Sequence, residues 1–148
     1  MASRQRADGD TAAGESTQVL EFGLGEETYC LDIGYIDEIV DAGDLTTIPN
    51  SPRHVEGVMD LRGQTTTIID PKTLLGVEGD TESERIVVFD PEAIEDGGTV
   101  GWTVDEVYQV RDVASDQVDD ATTATEDAVR GIVKDEDRFV VWVEPVTE

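Results

Sequence analysis

The sequence predicts an all-β protein made of two related halves. Hydrophobic residues recur mainly at every second position, which is the spacing of a strand with one buried face. Glycine, proline and acidic residues interrupt these runs at short intervals, as expected for turns between strands. Three short matches also link the two halves in the same order, which predicts two related barrels packed together. The matches are 55–58 with 129–132, 68–71 with 142–145, and 36–39 with 104–107.

The chain is expected to begin with a tail that does not fold. Residues 1–17 are rich in small and polar residues and lack the apolar stretch that a secretory signal needs. We therefore expect a disordered tail over 1–17 and a folded domain over 18–148. The chain has 148 residues, which is long enough for one domain with a hydrophobic core.

The first half is predicted to hold two hairpins. The first hairpin joins alternating strands near 19–24 and 29–33 through the turn at 25–27. The second hairpin joins strands near 55–61 and 65–69 through Arg62-Gly63, where glycine allows the backbone angles of a tight turn.

The segments around the second hairpin also carry local signals. The apolar spacing over 33–40 loosens to three and four, which predicts one helical turn leading into a strand. Pro49 and Pro52 force extended backbone at the residues before them, ahead of the hairpin. After the hairpin, residues 73–75 are predicted to form a short helical turn, and residues 77–84 an acidic linker.

The second half is predicted to repeat the strand pattern. The continuous apolar run 86–89 is typical of a strand buried on both faces, and 100–104 alternates. A polar segment is expected over 114–127. The last predicted hairpin joins 129–133 to 139–143 across acidic turn residues.

The charge of the chain is strongly acidic. Asp and Glu number 35 against 10 Lys and Arg, which gives a formal net charge of -25. The acids are spread over nearly every loop, which indicates a solvated surface suited to concentrated salt. At 1 M ionic strength the Debye length is only about 3 Å, so repulsion between surface carboxylates is largely screened. We therefore expect an extreme halophile's protein, and no nucleic-acid partner, because no basic patch exists to bind phosphates.

Cysteine content and apolar run length indicate a soluble, cytoplasmic protein without direct membrane insertion. Cys30 is the only cysteine, so no intrachain disulfide can form, and its place in a strand-like run predicts an inert, buried thiol. The longest apolar run, 139–143, is far too short to cross a membrane.

Residues with catalytic or metal-binding chemistry are few, and we expect no enzyme, no cofactor and no metal. His54 is the only histidine, and as a catalytic base it would need a nucleophile and an orienting carboxylate. An enzyme centred on His54 stays an alternative that His54→Ala would test. Asp116, Asp119 and Asp120 lack EF-hand spacing, which favours solvated acids.

One long motif carries a resemblance to a known family. The run Ile48-Pro49-Asn50-Ser51-Pro52 leads through Gly57 to Leu61-Arg62-Gly63, and Ile68-Ile69-Asp70 follows. With Glu38 upstream, this pattern resembles the CheW family of chemotaxis coupling proteins. The resemblance extends over about 19–145, and its opening hairpin and a Val104-Asp105-x-Val107 signature also match. The residues that match the central motif are Glu38, Pro49, Asn50, Pro52, Gly57, Leu61, Arg62, Gly63 and Asp70.

The resemblance implies a fold and a function. The fold would be two small five-stranded SH3-like β-barrels packed together, with the chain passing between them more than once. The function would be that of an adaptor between the cytoplasmic tip of a transmembrane chemoreceptor, a methyl-accepting chemotaxis protein, and the regulatory domain of the histidine kinase CheA. Such a protein makes and breaks no bonds, and it lies at the inner face of the membrane through receptor complexes.

The resemblance also implies a receptor-binding site, in which an apolar groove between the barrels accepts the receptor's helical hairpin. The residues at the family's receptor-binding positions are Ile36, Glu38, Ile39, Gly57, Val58 and Arg62. A structural alternative remains for each. These residues would be ordinary core and hairpin residues, above all Ile39 and Val58, and Arg62 would be a surface charge paired with a carboxylate such as Asp60 or Glu56. The residues that face the kinase are not identified by the motif.

Two departures and two alternative functions accompany the resemblance. Thr65-Thr66-Thr67 stands where the family usually has an apolar strand with a proline, so this face is more polar than usual. The chain ends at Glu148, where many members continue into a terminal helix.

The alternative functions are an adaptor of a receptor–kinase pathway outside motility and, in a different class, an acidic decoy that mimics nucleic acid.

Overall fold

The computed structural model describes residues 16–78, 83–94, 98–120 and 128–147. These residues form eleven strands, one short α-helix and two 3-10 turns, Ile33–Tyr35 and Ser115–Gln117. The strands are β1 (Ser16–Leu24), β2 (Glu27–Asp32), β3 (Ile36–Asp41), β4 (Val55–Leu61), β5 (Gln64–Ile69), β6 (Arg85–Phe89), β7 (Thr99–Val104), β8 (Glu106–Ala114), β9 (Val118–Asp120), β10 (Val129–Asp135) and β11 (Arg138–Val143), and the helix is α1 (Pro71–Leu75).

The strands form two sheets, each curled into a small SH3-like barrel. The first barrel has the strand order β8-β1-β2-β11-β10-β9, and the second has the order β3-β6-β7-β5-β4. The chain leaves the first barrel after β2 and returns to it after β7. The predicted fold class, an all-β pair of SH3-like barrels, is confirmed, but the first barrel has six strands where five were expected, because the short strand β9 adds to its edge.

The two barrels repeat one strand plan. In each, an antiparallel hairpin is flanked on one side by an edge strand and on the other by a parallel pairing to a second hairpin. Ile68 lies opposite Gly101 in that parallel pairing, and Trp142 lies opposite Cys30. Gly57 lies opposite Ile68, and Gly131 lies opposite Trp142, so residues 55–58 and 129–132 occupy equivalent places, as their sequence match predicted.

The predicted equivalence of 36–39 with 104–107 is wrong. Ile36 lies opposite Phe89 on the neighbouring strand, and Val107 lies opposite Phe22 at the same place in the first barrel. Ile36 therefore corresponds to Val107, whereas Val104 ends the preceding strand β7. The two segments share an Asp-Glu pair between two apolar residues, and a match of only four residues can occur in the wrong register.

The sixth strand of the first barrel has a reduced counterpart in the second. Asp119 in β9 lies opposite Ile132, and the equivalent contact in the second barrel is a single bridge between Thr46 and Val58. A glycine makes each approach possible. A Cβ atom on Gly57 would overlap the Thr46 carbonyl oxygen, and a Cβ atom on Gly131 would lie 2.8 Å from the Asp119 carbonyl oxygen. Through these contacts, the chain that follows the strand at one edge of each sheet pairs with the strand at the opposite edge. The pairing closes the barrel.

Most predicted elements are confirmed, with differences at the edges of the sheets. The predicted polar segment 114–127 instead begins inside β8 and continues through a 3-10 turn into β9, and 121–127 lie outside the described residues. The predicted tail also lies outside them, except for Ser16 and Thr17, which start β1. Edge strands carry polar side chains on their exposed side, so their alternation is weak in the sequence.

The space between the barrels is a packed hydrophobic core. Trp102 is fully buried at its centre, and its ring meets Phe89 and Phe22 edge-on at centroid distances of 5.3 and 6.3 Å. Each barrel also has a smaller core of its own. Cys30 lies in the smaller core of the first barrel. Burial and the nearby carboxylate of Glu21 raise the pKa of its thiol to about 12, so the thiol is inert at neutral pH.

A buried ion pair also joins the barrels. Lys72 Nζ in α1 lies 2.9 Å from Asp105 Oδ1, which follows β7, and both side chains are buried. Asp105 also accepts a 2.7 Å hydrogen bond from the backbone N–H of Gly25 in the first barrel. Asp70 caps α1 by accepting from the Lys72 backbone N–H, so the predicted helical turn is confirmed and starts two residues earlier.

Candidate functional site

The turn between β4 and β5 places Arg62 in an unusual backbone conformation. Arg62 has φ of 54° and Gly63 has φ of 82°, the pair of positive angles that a two-residue type I′ turn requires. Asn and Gly are the usual residues in such turns, and an arginine there costs roughly 1–2 kcal/mol. The Arg62 side chain extends from this turn, and 74% of it is exposed.

Arg62 forms an ion pair with Glu38 across the second barrel. The Arg62 guanidinium donates from Nη2 to Glu38 Oε1. Glu38 lies on β3 at one edge of the sheet, and curvature of the sheet brings it to the turn at the other edge. Glu56, one of the two carboxylates named in the structural alternative for Arg62, instead accepts a 2.8 Å hydrogen bond from the Thr103 hydroxyl.

The ion pair stands at the rim of a cleft, which we call the barrel-2 cleft. Its volume is about 260 Å³, and it opens at one end of the second barrel. Val88 and Thr66 are buried at its floor, beside the partly buried Leu61. Its lining residues are Asp37, Glu38, Leu61, Arg62, Gln64, Thr66, Val88 and Thr99.

The structure brings two of the six predicted site residues, Glu38 and Arg62, together at this cleft. Ile36 and Ile39 pack against the core between the barrels. Gly57 and Val58 take part in the bridge to Thr46 that closes the second barrel. Within the chain, these four residues therefore have the structural roles given above as alternatives: Ile36 and Ile39 pack in the core, and Gly57 and Val58 close the barrel.

Several cleft residues were missed by the sequence reasoning. Asp37, Gln64, Val88 and Thr99 come from four different strands, β3, β5, β6 and β7, and share no local pattern. One signal was available: Thr66 belongs to the threonine run that departs from the family pattern, and it lies at the floor of the cleft. The apolar groove expected between the barrels is not where Glu38 and Arg62 meet, because the packed core occupies that space.

The residues considered for catalysis and metal binding have structural contacts. His54 precedes β4, and its carbonyl accepts a 2.8 Å hydrogen bond from the Asp70 N–H. Asp119 pairs with Lys134 at 3.0 Å. Within the described part of the chain, no group of three potential ligands is close enough to hold a metal ion, and no helix is long and apolar enough to span a membrane.

Comparisons with known proteins all lead to one family. The sequence profile described as "CheW-like domain" matches residues 18–146. "Chemotaxis protein CheW" of Thermotoga maritima is 27% identical over 130 residues, covering 86% of this chain and 83% of that protein. Its namesake in Klebsiella aerogenes is 34% identical over 109 residues, covering 72% of this chain and 64% of that protein. Among solved structures, the crystal structure of scaffolding protein TtCheW from Thermoanaerobacter tengcongensis is similar with a TM-score of 0.76 and 29% identity, over 87% of this chain and 89% of that one.

Proposed function

The chain belongs to the family of CheW-like domains, and on that premise we propose that it is a chemotaxis scaffold coupling transmembrane chemoreceptors to the histidine kinase CheA. The names of the similar proteins, chemotaxis protein CheW and scaffolding protein TtCheW, support this function. The protein acts by contact. The state of the receptor biases the activity of the kinase through the scaffold, and the scaffold itself makes and breaks no bond.

The finer assignments are part of the same proposal. The receptor partner is the cytoplasmic tip of a methyl-accepting chemotaxis protein, and the kinase partner is the regulatory domain of CheA. The scaffold works in the cytoplasm, at the inner face of the membrane, where receptor complexes hold it. The receptor-binding residues are Ile36, Glu38, Ile39, Gly57, Val58 and Arg62.

The convergence of Glu38 and Arg62 carries the site assignment. These residues lie 24 positions apart in the sequence and meet at the rim of an open cleft. Ion pairs on exposed surfaces contribute only about 0–1 kcal/mol to stability. The contact with Glu38 therefore at most offsets the backbone cost of an arginine at this turn, which favours a role for the guanidinium toward a partner.

Replacing Arg62 tests the assignment. We expect Arg62→Ala to fold normally but to lose about 2–5 kcal/mol of receptor binding, because a fork of donors is lost from a desolvated interface. Arg62→Lys should rescue only part of it, because an ammonium cannot make the bidentate contact. The measurement is phosphate incorporation into the kinase when receptor, kinase and scaffold are reconstituted.

Arg85→Ala is the matched control. Arg85 is also an exposed arginine of the second barrel, and it also pairs with a carboxylate of β3, at 3.3 Å from Asp41. This variant should couple receptor to kinase as the wild type does. If Arg62→Ala couples equally well while melting normally, Arg62 is only a surface charge.

A high-salt environment is the second part of the proposal. The net charge of -25 is carried by acids spread over nearly every loop, and repulsion among them opposes the compact state when salt is low. We expect cooperative unfolding in molar KCl and loss of the near-ultraviolet circular dichroism signal after dialysis to tens of millimolar. Equal melting temperatures in the two buffers would contradict adaptation to salt.

A further inference from the structure

The barrel-2 cleft has a counterpart in the first barrel, which the strand pairings identify. Glu38 lies opposite Val88, and Gln109 lies opposite Glu21 at the same place in the first barrel. Glu21 therefore corresponds to Val88 at the cleft floor. Arg138 is the first residue after its two-residue turn, as Gln64 is after Arg62-Gly63, so Arg138 corresponds to Gln64.

In the first barrel, this end is filled by two arginines of the chain itself. Glu21 is only 2% exposed and accepts from Arg111 Nη1 at 3.0 Å and from Arg138 Nη2 at 3.3 Å. Asp135 accepts from the same two residues, from Arg111 Nη1 at 2.7 Å and from Arg138 Nε at 3.2 Å. Two carboxylates and two guanidiniums thus balance each other, and Glu21 is shared between both arginines. We call these four residues the first-barrel plug.

The equivalent end of the second barrel has uncharged residues at the plug positions Glu21 and Arg138, namely Val88 and Gln64, and its charges come from other positions. Its lining includes the carboxylates of Asp37 and Glu38 and the single guanidinium of Arg62. At the position from which Arg138 enters the first-barrel plug, the second barrel has the neutral Gln64. The space that remains is about 260 Å³, and its floor is made apolar by Val88 and Leu61.

We propose that the barrel-2 cleft is a recess for one basic side chain, arginine or lysine, of the bound partner helix. The inference rests on the proposed function for the identity of that partner, the receptor. The methylene stem of the basic residue lies on Val88 and Leu61, as long charged side chains do on apolar surfaces. Its charged head lies between Asp37 and Glu38, so that Glu38 serves two cations as Glu21 does in the first-barrel plug.

Grafting the first-barrel plug into the second barrel tests the recess. Gln64→Arg places a guanidinium where Arg138 stands in the first barrel, and we expect it to fill the recess from within. The affinity for a soluble cytoplasmic fragment of the receptor should fall by at least about tenfold, the effect of losing a close charge pair. Gln64→Met is the matched control: it also loses the 3.0 Å hydrogen bond from Thr99 but adds no charge, and it should change affinity by less than about twofold.

A small probe tests the recess without the receptor. N-acetyl-arginine methylamide and its neutral citrulline analogue are titrated at the lowest KCl concentration that keeps the protein folded, with amide signals followed by NMR. Only the arginine compound should shift the signals of Thr66 and Thr99, and Gln64→Arg should abolish the shifts. The recess is overturned if Gln64→Arg binds the fragment as Gln64→Met does, or if both compounds act alike. Binding of the arginine compound at Thr66 and Thr99, with no binding of the fragment to wild type, would leave the recess standing and refute the receptor function.

Discussion

Removing the charge of Asp105 should destabilise the whole protein, because this residue holds the two barrels together. Its carboxylate contacts Lys72 Nζ at 2.9 Å and accepts from the Gly25 N–H at 2.7 Å, so one side chain joins both barrels. The Ser83 hydroxyl donates to it at 3.3 Å. Asp105→Asn keeps an oxygen that can accept from Gly25 but removes the carboxylate charge that lies 2.9 Å from the buried ammonium of Lys72.

The size of the effect follows from the burial of this pair. Breaking a buried ion pair by neutralising one partner costs about 3–5 kcal/mol, since the remaining charge stays desolvated. For a protein of this length, each 1 kcal/mol lowers the melting temperature by about 2–4 °C, so we expect a fall of about 6–20 °C. The loss should persist in molar KCl, because salt screens buried pairs far less than exposed ones.

The assay is thermal unfolding in molar KCl, with Asp41→Asn as the control. Asp41 is exposed and pairs with Arg85, so its replacement removes the same charge from the protein but should cost no more than about 1 kcal/mol. The double variant Lys72→Met/Asp105→Asn should recover most of the stability, because it removes the buried ammonium together with the carboxylate that balances it. If Asp105→Asn melts within the error of Asp41→Asn, the buried pair does not hold the barrels together.

Two further predictions concern a glycine that closes the second barrel and a carboxylate of the first-barrel plug. Gly57→Ala should lower the melting temperature clearly, because Gly57 has φ of 155° and a Cβ atom would overlap the Thr46 carbonyl oxygen. Gly63→Ala is the control. Gly63 has φ of 82° and open space around it, so this variant should cost only about 1 kcal/mol. In the first-barrel plug, the hydrogen bond from Arg111 lowers the pKa of Asp135 below its ordinary 3.8. This carboxylate therefore adds stability above its unfolded pKa, and the stability is lost as pH falls through the lower folded pKa. Asp135→Asn should thus reduce the loss of stability on acidification below about pH 4 in an acid titration followed by circular dichroism, and an unchanged titration would show that the pair contributes nothing.

The strands that carry the core were predictable because burial imposes a strict pattern on them. Residues 20, 22 and 24 must all face the space between the barrels, so each tolerates only apolar side chains. The edge strand β8 was not fully predicted, because only part of it is buried and Tyr108, Gln109 and Asp112 face solvent. The three-residue β9 is fixed by its pairing to β10, a tertiary contact that leaves almost no local signal.

The site was predictable only as far as the motif reached. The resemblance placed Glu38 and Arg62 in one site, but their direct ion pair depends on curvature that brings two edges of the second sheet together. Sequence reasoning offered Asp60 and Glu56 as partners because they are near Arg62 along the strand. In a chain with 35 carboxylates, proximity in sequence is a weak guide to pairing, and the three-dimensional path of the sheet decides it.

Molar salt changes what a recognition site must provide. The Debye length of about 3 Å at 1 M is no longer than the contact distance of an ion pair, so charges farther apart neither attract nor steer a partner. A scaffold of net charge -25 therefore gains no selectivity from its overall field under these conditions. Selectivity must come from groups in contact and shielded from solvent, such as Glu38, which is 22% exposed at the rim of the barrel-2 cleft. A shaped recess with a carboxylate at its rim keeps its preference for a cation in salt that would abolish the preference of an open acidic surface.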